Sequence, residues 1–175
     1  MDSIEEHHDP ATLLKLAAST GGVWQANFLT GKLLHADTFR RYLGYDAHEI
    51  GDTVDAWLGV VHPDDQEHLC HAWQSHLKRR TPYDVIYRAR AKSGEYLWFH
   101  SRGQAVWDEN GRATMMAGVI HDITGKREAE ARAEEGQQRF EKVFHLSPVP
   151  TSLTVLADAR ILDVNEAFHS YFGYA

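Results

Sequence analysis

Cysteine is all but missing from this chain. Cys70 stands alone, so no disulfide can form within it, which suits a reducing compartment such as the cytoplasm. Long apolar runs are missing too. Nothing approaches the ~20 residues needed to span a bilayer, and the opening Met-Asp-Ser-Ile-Glu-Glu-His-His is acidic where a secretion signal would be basic, so no membrane contact is expected from this segment. Nor is there a basic surplus. The 18 Lys and Arg residues are interspersed with 25 Asp and Glu, for a formal net charge of -7, which leaves no electrostatic case for nucleic acid. No glycine-rich phosphate loop, nucleophile elbow or kinase motif occurs, and no catalytic site is expected.

What the 175 residues do contain is ample apolar material, 43% of the chain, arranged in strand-like and helix-like periods. Tyr83 to Ala91 and the two halves of Gly94 to Ile123 are rich in aromatic and β-branched residues. Lys92-Ser93-Gly94-Glu95 and the Asn110-Gly111 pair supply turn chemistry between them, the latter expected to take the positive backbone angles of a tight hairpin. Ahead of these, Val23 to Phe28 and Lys32 to Ala36 read as another hairpin, with Trp24, Ala26 and Phe28 on one face. Phe39, Tyr42 and Leu43 mark a short helix that Gly44 ends, and short helical turns are expected through Ile50 and Trp57. Pro63-Asp64-Asp65 starts a longer helix with an apolar stripe of Leu69, Trp73 and Leu77, closed by Pro82. Asp9-Pro10 begins a further short helix, over 9–19. The sum is an α+β fold, a five-stranded antiparallel sheet with helices crossing one face, flanked by an N-terminal helix and a charged, alanine-rich C-terminal helix from Lys126.

The last strand is apolar on both faces, Met116, Gly118 and Ile120 against Met115, Ala117 and Val119, so both must be covered. The N-terminal helix or a second copy of the chain is the expected cover, hence a homodimer through the N-terminal helix, the sheet face and the C-terminal helix. In that last helix Ala129, Ala133, Gly136, Phe140 and Val143 follow the seam of a coiled coil for about two heptads, although a single helix packed on its own domain explains them equally well. The chain then repeats itself. A constant shift of 129 positions lays Phe39, Tyr42, Gly44 and Tyr45 on Phe168, Tyr171, Gly173 and Tyr174, and Leu33 on Leu162.

Three runs carry a resemblance. Met116-Ala-Gly-Val-Ile-His-Asp-Ile-Thr124 followed by Gly-Lys-Arg-Glu-Ala-Glu130, Phe39-Arg-Arg-Tyr-Leu-Gly-Tyr45, and Val61-His-Pro-Asp-Asp65 resemble a PAS domain with its closing PAC motif. The resemblance covers Thr20 to about Glu130 and implies a PAS-like fold over 20–124, with 1–19 as flanking helix and 125–146 as signalling helix or coiled-coil linker. The remaining 147–175 would be the truncated start of a second PAS domain, cut from a longer array and loosely ordered or packed on a neighbour. It also implies a cytoplasmic sensor in a signal-transduction protein. The output would lie outside the chain, in a histidine kinase of a two-component system, a diguanylate cyclase or other cyclic-di-GMP enzyme, or a chemoreceptor.

Candidate site residues follow from that picture. Trp24, His35, Tyr42, Trp57, Trp73, Tyr87, Trp98, His100 and Ile120 are expected to line a small-molecule pocket or simply to form the core. Asp122, Ile123 and Thr124 form the expected signal junction, with the Asp122 carboxylate accepting unpaired backbone N–H groups at the helix start. His68, His71 and His76 share one helix but lack further ligands, so no metal site is expected and solvated surface histidines suffice. The cofactor stays open between none, flavin and haem, since haem-binding PAS domains carry an axial histidine on the corresponding helix. Cys70 lacks the motif around the flavin-adduct cysteine of light-sensing relatives. His121-Asp122 has the look of a phosphoacceptor box, but at a strand end instead of within a helix.

Overall fold

The computed structural model describes residues 22–35, 37–46 and 48–173. The helix expected over 9–19, and with it one proposed dimer contact, lies outside them, as does Tyr174 of the repeat. The chain divides into two compact units, 1–125 and 126–175.

In the first unit, β1 (Gly22–Asn27) and β2 (Lys32–His35) form a hairpin. The Asn27 side chain accepts hydrogen bonds from the Leu29 and Thr30 N–H groups, and Gly31 supplies a φ of +70°. Three helices follow: α1 (Asp37–Leu43), α2 (Val54–Leu58) and α3 (Pro63–Arg79). Thr53 caps α2, and the His62 ring caps α3 by accepting the Asp64 N–H. α3 stops at Arg79, three residues before Pro82, with Arg80 in the left-handed region and its guanidinium 4.9 Å from the Trp107 ring. The strands β3 (Tyr83–Arg90), β4 (Tyr96–Trp107) and β5 (Ala113–Asp122) then meander antiparallel. Sheet order is β2-β1-β5-β4-β3, so the first and last strands lie side by side at the centre. At the β4–β5 turn only Gly111 of the Asn110-Gly111 pair has positive φ; the Asp108 carboxylate organises the loop by accepting the Asn110 and Arg112 N–H groups.

The core lies between the sheet and the helices, with Phe39, Leu43, Leu69, Phe99, Met116 and Ile120 wholly buried. Alternation along β4 places Phe99, Ser101, Gly103 and Ala105 on this inner face and Trp98, His100, Arg102 and Gln104 on the outer one. Gly103 and Gly118 are cross-strand partners on the inner face, and the Trp24 indole lies directly on them. A Cβ on Gly118 would come within 2.0 Å of the Arg102 carbonyl oxygen and 2.6 Å of that indole. The outer face is mixed: Val23 opposes Val119 there and Leu34, Ile86 and Val106 are exposed, beside the polar His100, Arg102 and Gln104.

α4 (Thr124–Leu146) starts where β5 ends and continues into the second unit. Its expected seam is open to solvent within the chain, with Phe140 and Val143 more than half exposed. The second unit also holds the hairpin β6 (Ser152–Thr154) and β7 (Ile161–Val164) and the helix α5 (Glu166–Phe172). β7 and α5 reproduce β2 and α1 residue for residue at the 129-position shift, and Gly173 (φ +71°) matches Gly44 (φ +74°). Asn165, completely buried, knots this unit: its amide accepts the Thr151 and Phe168 N–H groups and donates to the Ser147 and Val149 carbonyls. Among the described residues no helix is long and apolar enough to cross a membrane.

Candidate functional site

The inner face and the helices enclose a cavity of about 10 Å³. Five of the expected residues meet there, Trp24, His35, Trp57, Trp73 and Tyr87, joined by Leu33, Tyr83 and Ser101. β1 and β2 supply Trp24 and His35 as a cross-strand pair, α2 supplies Trp57, α3 supplies Trp73, and β3 supplies both tyrosines. Two ring pairs interlock edge to face, Trp57 with Tyr87 at 5.7 Å and 89° and Trp24 with Tyr83 at 5.7 Å and 73°, while Trp73 lies 5.6 Å from Trp24 in a tilted pair at 32°. Buried polar tips are paired where they can be. The Trp24 indole N–H donates to Ser101 Oγ at 2.9 Å, and that of Trp57 donates to Tyr87 Oη at 3.2 Å. Burial pushes the Tyr83 and Tyr87 phenols well above their usual range, so both stay protonated.

His35 is the exception. Its ring stacks on Phe39 at 4.6 Å, is 9% exposed, and has no hydrogen-bond partner among the described residues. Burial, reinforced by the nearby Arg40 guanidinium, lowers its pKa to about 4, leaving a neutral imidazole facing the cavity. Arg40 is itself held by Asp52 and by the His35 and Ile50 carbonyls, while its Nε is buried without a partner.

Four expected pocket residues lie elsewhere. Trp98 and His100 are on the outer sheet face: Trp98 carries the Arg88 guanidinium 5.4 Å from its ring, and His100 hydrogen-bonds Asp84, whose carboxyl this bond holds below its usual range. Tyr42 is on the exposed side of α1, with its ring 6.2 Å from that of Phe99. Ile120 is wholly buried but packs under Gly22, away from the cavity. The expectation of surface histidines also fails at one position. His76 is 1% exposed, with Nδ1 on the Thr81 carbonyl and Nε2 accepting the Ala105 N–H, so backbone engages both nitrogens. His68 and His71 are exposed, and the described residues contain no group of three side chains able to hold a metal. Cys70 is exposed on α3, and His121 lies in a strand.

The junction residues come together with β4. Thr124 N–H donates to Asp122 Oδ1 at 2.8 Å, Ile123 N–H to the Trp98 carbonyl at 2.9 Å, and Trp98 N–H to Thr124 Oγ1 at 2.9 Å. Thus α4 begins with its first side chain bound into the sheet. A second link ties the start of α3 to β3: Asp65 accepts two bonds from the Arg88 side chain and one from its N–H, and this pairing keeps the Asp65 carboxyl below its usual range.

Leu33, Tyr83, Ser101 and the two glycines under Trp24 were not anticipated. Only the glycines carry a signal, because a glycine inside a strand marks close approach by another group.

Comparison with known proteins agrees with this architecture. A family described as PAS fold matches residues 32–120, and one described as PAS domain matches 138–175. An uncharacterized protein, y4lL, of Sinorhizobium fredii is 30% identical over 93 residues, 53% of this chain and 11% of its own length. A blue-light-activated histidine kinase of Brucella ovis is 27% identical over 110 residues, 63% of this chain and 22% of the kinase. The chain therefore spans less than a quarter of these relatives. Among solved structures, a sensory box histidine kinase/response regulator from Burkholderia thailandensis superposes with a TM-score of 0.61 at 34% identity, covering 73% of this chain and 97% of that one.

Proposed function

The chain belongs to the PAS family, and on that premise we propose that residues 20–124 are a cytoplasmic sensory module whose state passes through the helix over 125–146 to an effector. Residues 147–175 begin a second such domain. A histidine kinase is the favoured effector, since the relatives at 27% and 34% identity carry that name. Catalysis then belongs to the effector, not to this segment.

The observation that carries this reading is the junction. With Thr124 Oγ1 bound to the Trp98 backbone and Asp122 bound to the Thr124 N–H, a shift of β4 against β5 must move the first turn of α4. A signal acts only if it binds two arrangements unequally. Hydrogen exchange at the Trp98, Ile123 and Thr124 amides tests the link: the reading expects these amides to respond when the interior is perturbed, and amides indifferent to it would remove the relay.

Homodimerisation belongs to the same proposal, supported by the outer sheet face around Val119 and by the exposed Phe140 and Val143 on α4. Light scattering at high concentration tests it. A second reading, a ligand-free dimerisation module, draws support from the cavity, which is closed by tryptophan and tyrosine and has room for one water. Flavin and haem both need a site tens of times larger than about 10 Å³. The blue-light response named in the Brucella relative is not carried over. An absorption spectrum of the purified chain, free of flavin and Soret bands, is the expected result.

A further inference from the structure

The first turns of α3 and α4 are docked on the same rung of the sheet. Arg88 of β3, an edge strand, and Trp98 of β4 are cross-strand partners. On the outer edge of β3 the Arg88 N–H donates to Asp65 Oδ2 at 2.8 Å and the Arg88 carbonyl accepts the His62 N–H at 2.9 Å, so this backbone is bound to the start of α3. On the other side the Trp98 N–H donates to Thr124 Oγ1 and the Trp98 carbonyl accepts the Ile123 N–H, each at 2.9 Å, so that backbone is bound to the start of α4. With both sets of backbone groups turned away from each other, no backbone hydrogen bond crosses the rung, and side chains stand closest at such a pair. The direct link between the two helix starts is therefore made by side chains.

That link uses both aspects of one guanidinium. Arg88 Nε and Nη2 donate from its edge to the Asp65 carboxylate at 2.9 and 2.7 Å, with Asp64 Oδ2 at 3.7 Å, while Cζ lies over the Trp98 indole, 5.4 Å from the ring. A planar guanidinium can pair by its edge and stack by its face at once, which an ammonium, a compact point charge, cannot. The Arg88 and Asp65 side chains are only 26% and 17% exposed, so solvent ions screen the pair little. Farther along, α3 carries Leu69 and His76 into the buried interior. Packed helices slide as units, so a change in how α3 packs reaches its first turn.

We propose that Arg88 is the positioning residue that couples α3 to the outgoing helix: by holding Asp65 with its edge and Trp98 with its face, it makes a shift in the first turn of α3 move the Trp98 backbone and, with it, Thr124. The proposal rests on the relay reading and names the regulation of that junction, an input from α3 delivered across the outer face of the sheet. The simpler role for Arg88 is to hold α3 on β3 without reaching β4.

Amide hydrogen exchange in the whole chain separates the two roles. Asp65→Asn keeps the shape of the side chain and loosens the grip on Arg88, so exchange at the Arg88 amide should quicken under either. Coupling further requires exchange at the Trp98, Ile123 and Thr124 amides to quicken by roughly threefold or more, beyond any change in the β1–β2 hairpin. Arg88→Lys can still pair with Asp65 but has no plane to lay on the indole; adding Asp65→Asn to it should open the amide of residue 88 and leave the three junction amides unmoved. Junction amides that ignore Asp65→Asn overturn the proposal, as does an equal response in the Arg88→Lys background. Should Arg88→Lys not fold, Trp98→Leu, which removes the ring beneath the guanidinium, takes its place with the same two outcomes; Asp65→Glu likewise stands in for Asp65→Asn. The relay reading is judged separately by Trp73→Leu. Junction amides that answer to Trp73→Leu and not to Asp65→Asn defeat this proposal alone, and amides that answer to neither defeat both.

Discussion

His35 makes the stability of the first unit depend on pH. In the unfolded chain its imidazole titrates near 6.5; in the fold it titrates at about 4, chiefly because burial disfavours the cation. The folded state thus binds the proton less readily, and the contribution of the neutral ring is complete above pH 6.5 and is lost as pH falls towards 4. The limiting loss is about 3 kcal/mol, and between pH 7 and pH 4.5 it amounts to about 2 kcal/mol. His35→Leu fills much the same volume without a titrating group. Urea unfolding of both proteins at pH 7 and 4.5 isolates the effect: the wild-type midpoint should fall by about 1 M more than that of the variant, for an m-value of ~2 kcal/mol/M. Parallel losses in the two proteins would refute the claim that His35 is buried in the neutral form.

Other consequences are equally direct. Gly118→Ala, which drives a methyl group into the Arg102 carbonyl and the Trp24 indole, should cost ~3 kcal/mol or more in urea unfolding, whereas Gly125→Ala, with nothing within 4 Å, should not destabilise. Asp65→Ala leaves the Arg88 guanidinium and N–H without their shared acceptor and should cost ~2 kcal/mol by the same assay. Thr124→Val keeps the shape of the side chain and removes the acceptor for Trp98 N–H; exchange at the Trp98 amide should quicken by about fivefold, against a loss of ~1 kcal/mol. In the second unit Asn165→Ala removes the acceptor of the Thr151 N–H and the donor to the Ser147 carbonyl, while the Phe168 N–H keeps the backbone carbonyl of residue 165, so protection should fall at the Thr151 amide and persist at that of Phe168.

The sheet was legible because each strand is bounded by turn residues and each helix by a cap or a proline. The internal repeat was legible because matching residues recur at one constant spacing, and β7 and α5 fall where β2 and α1 predict. The pocket was only half legible. β4 carries aromatic or imidazole side chains on both faces, so Trp98 and His100 look no different in sequence from Phe99, and only strand pairing decides which of them faces the core. Tyr42 shares the helical period of Phe39 and Leu43 but lies at the edge of their stripe. His76 reads as one more histidine on a charged helix, and its burial depends on the backbone of Thr81 and Ala105, the latter 29 positions away. Ser101 is invisible for a related reason, since its role is to accept the Trp24 N–H from a strand 77 positions away.

The account stands or falls on whether the interior reaches the first turn of α4. Hydrogen exchange at the Trp98, Ile123 and Thr124 amides, compared between the wild type and Trp73→Leu under conditions where both are folded, measures this at the junction itself. Faster exchange at these three amides, beyond any change in the Asp108–Arg112 turn, is the predicted result; protection at the junction identical in the two proteins would contradict it.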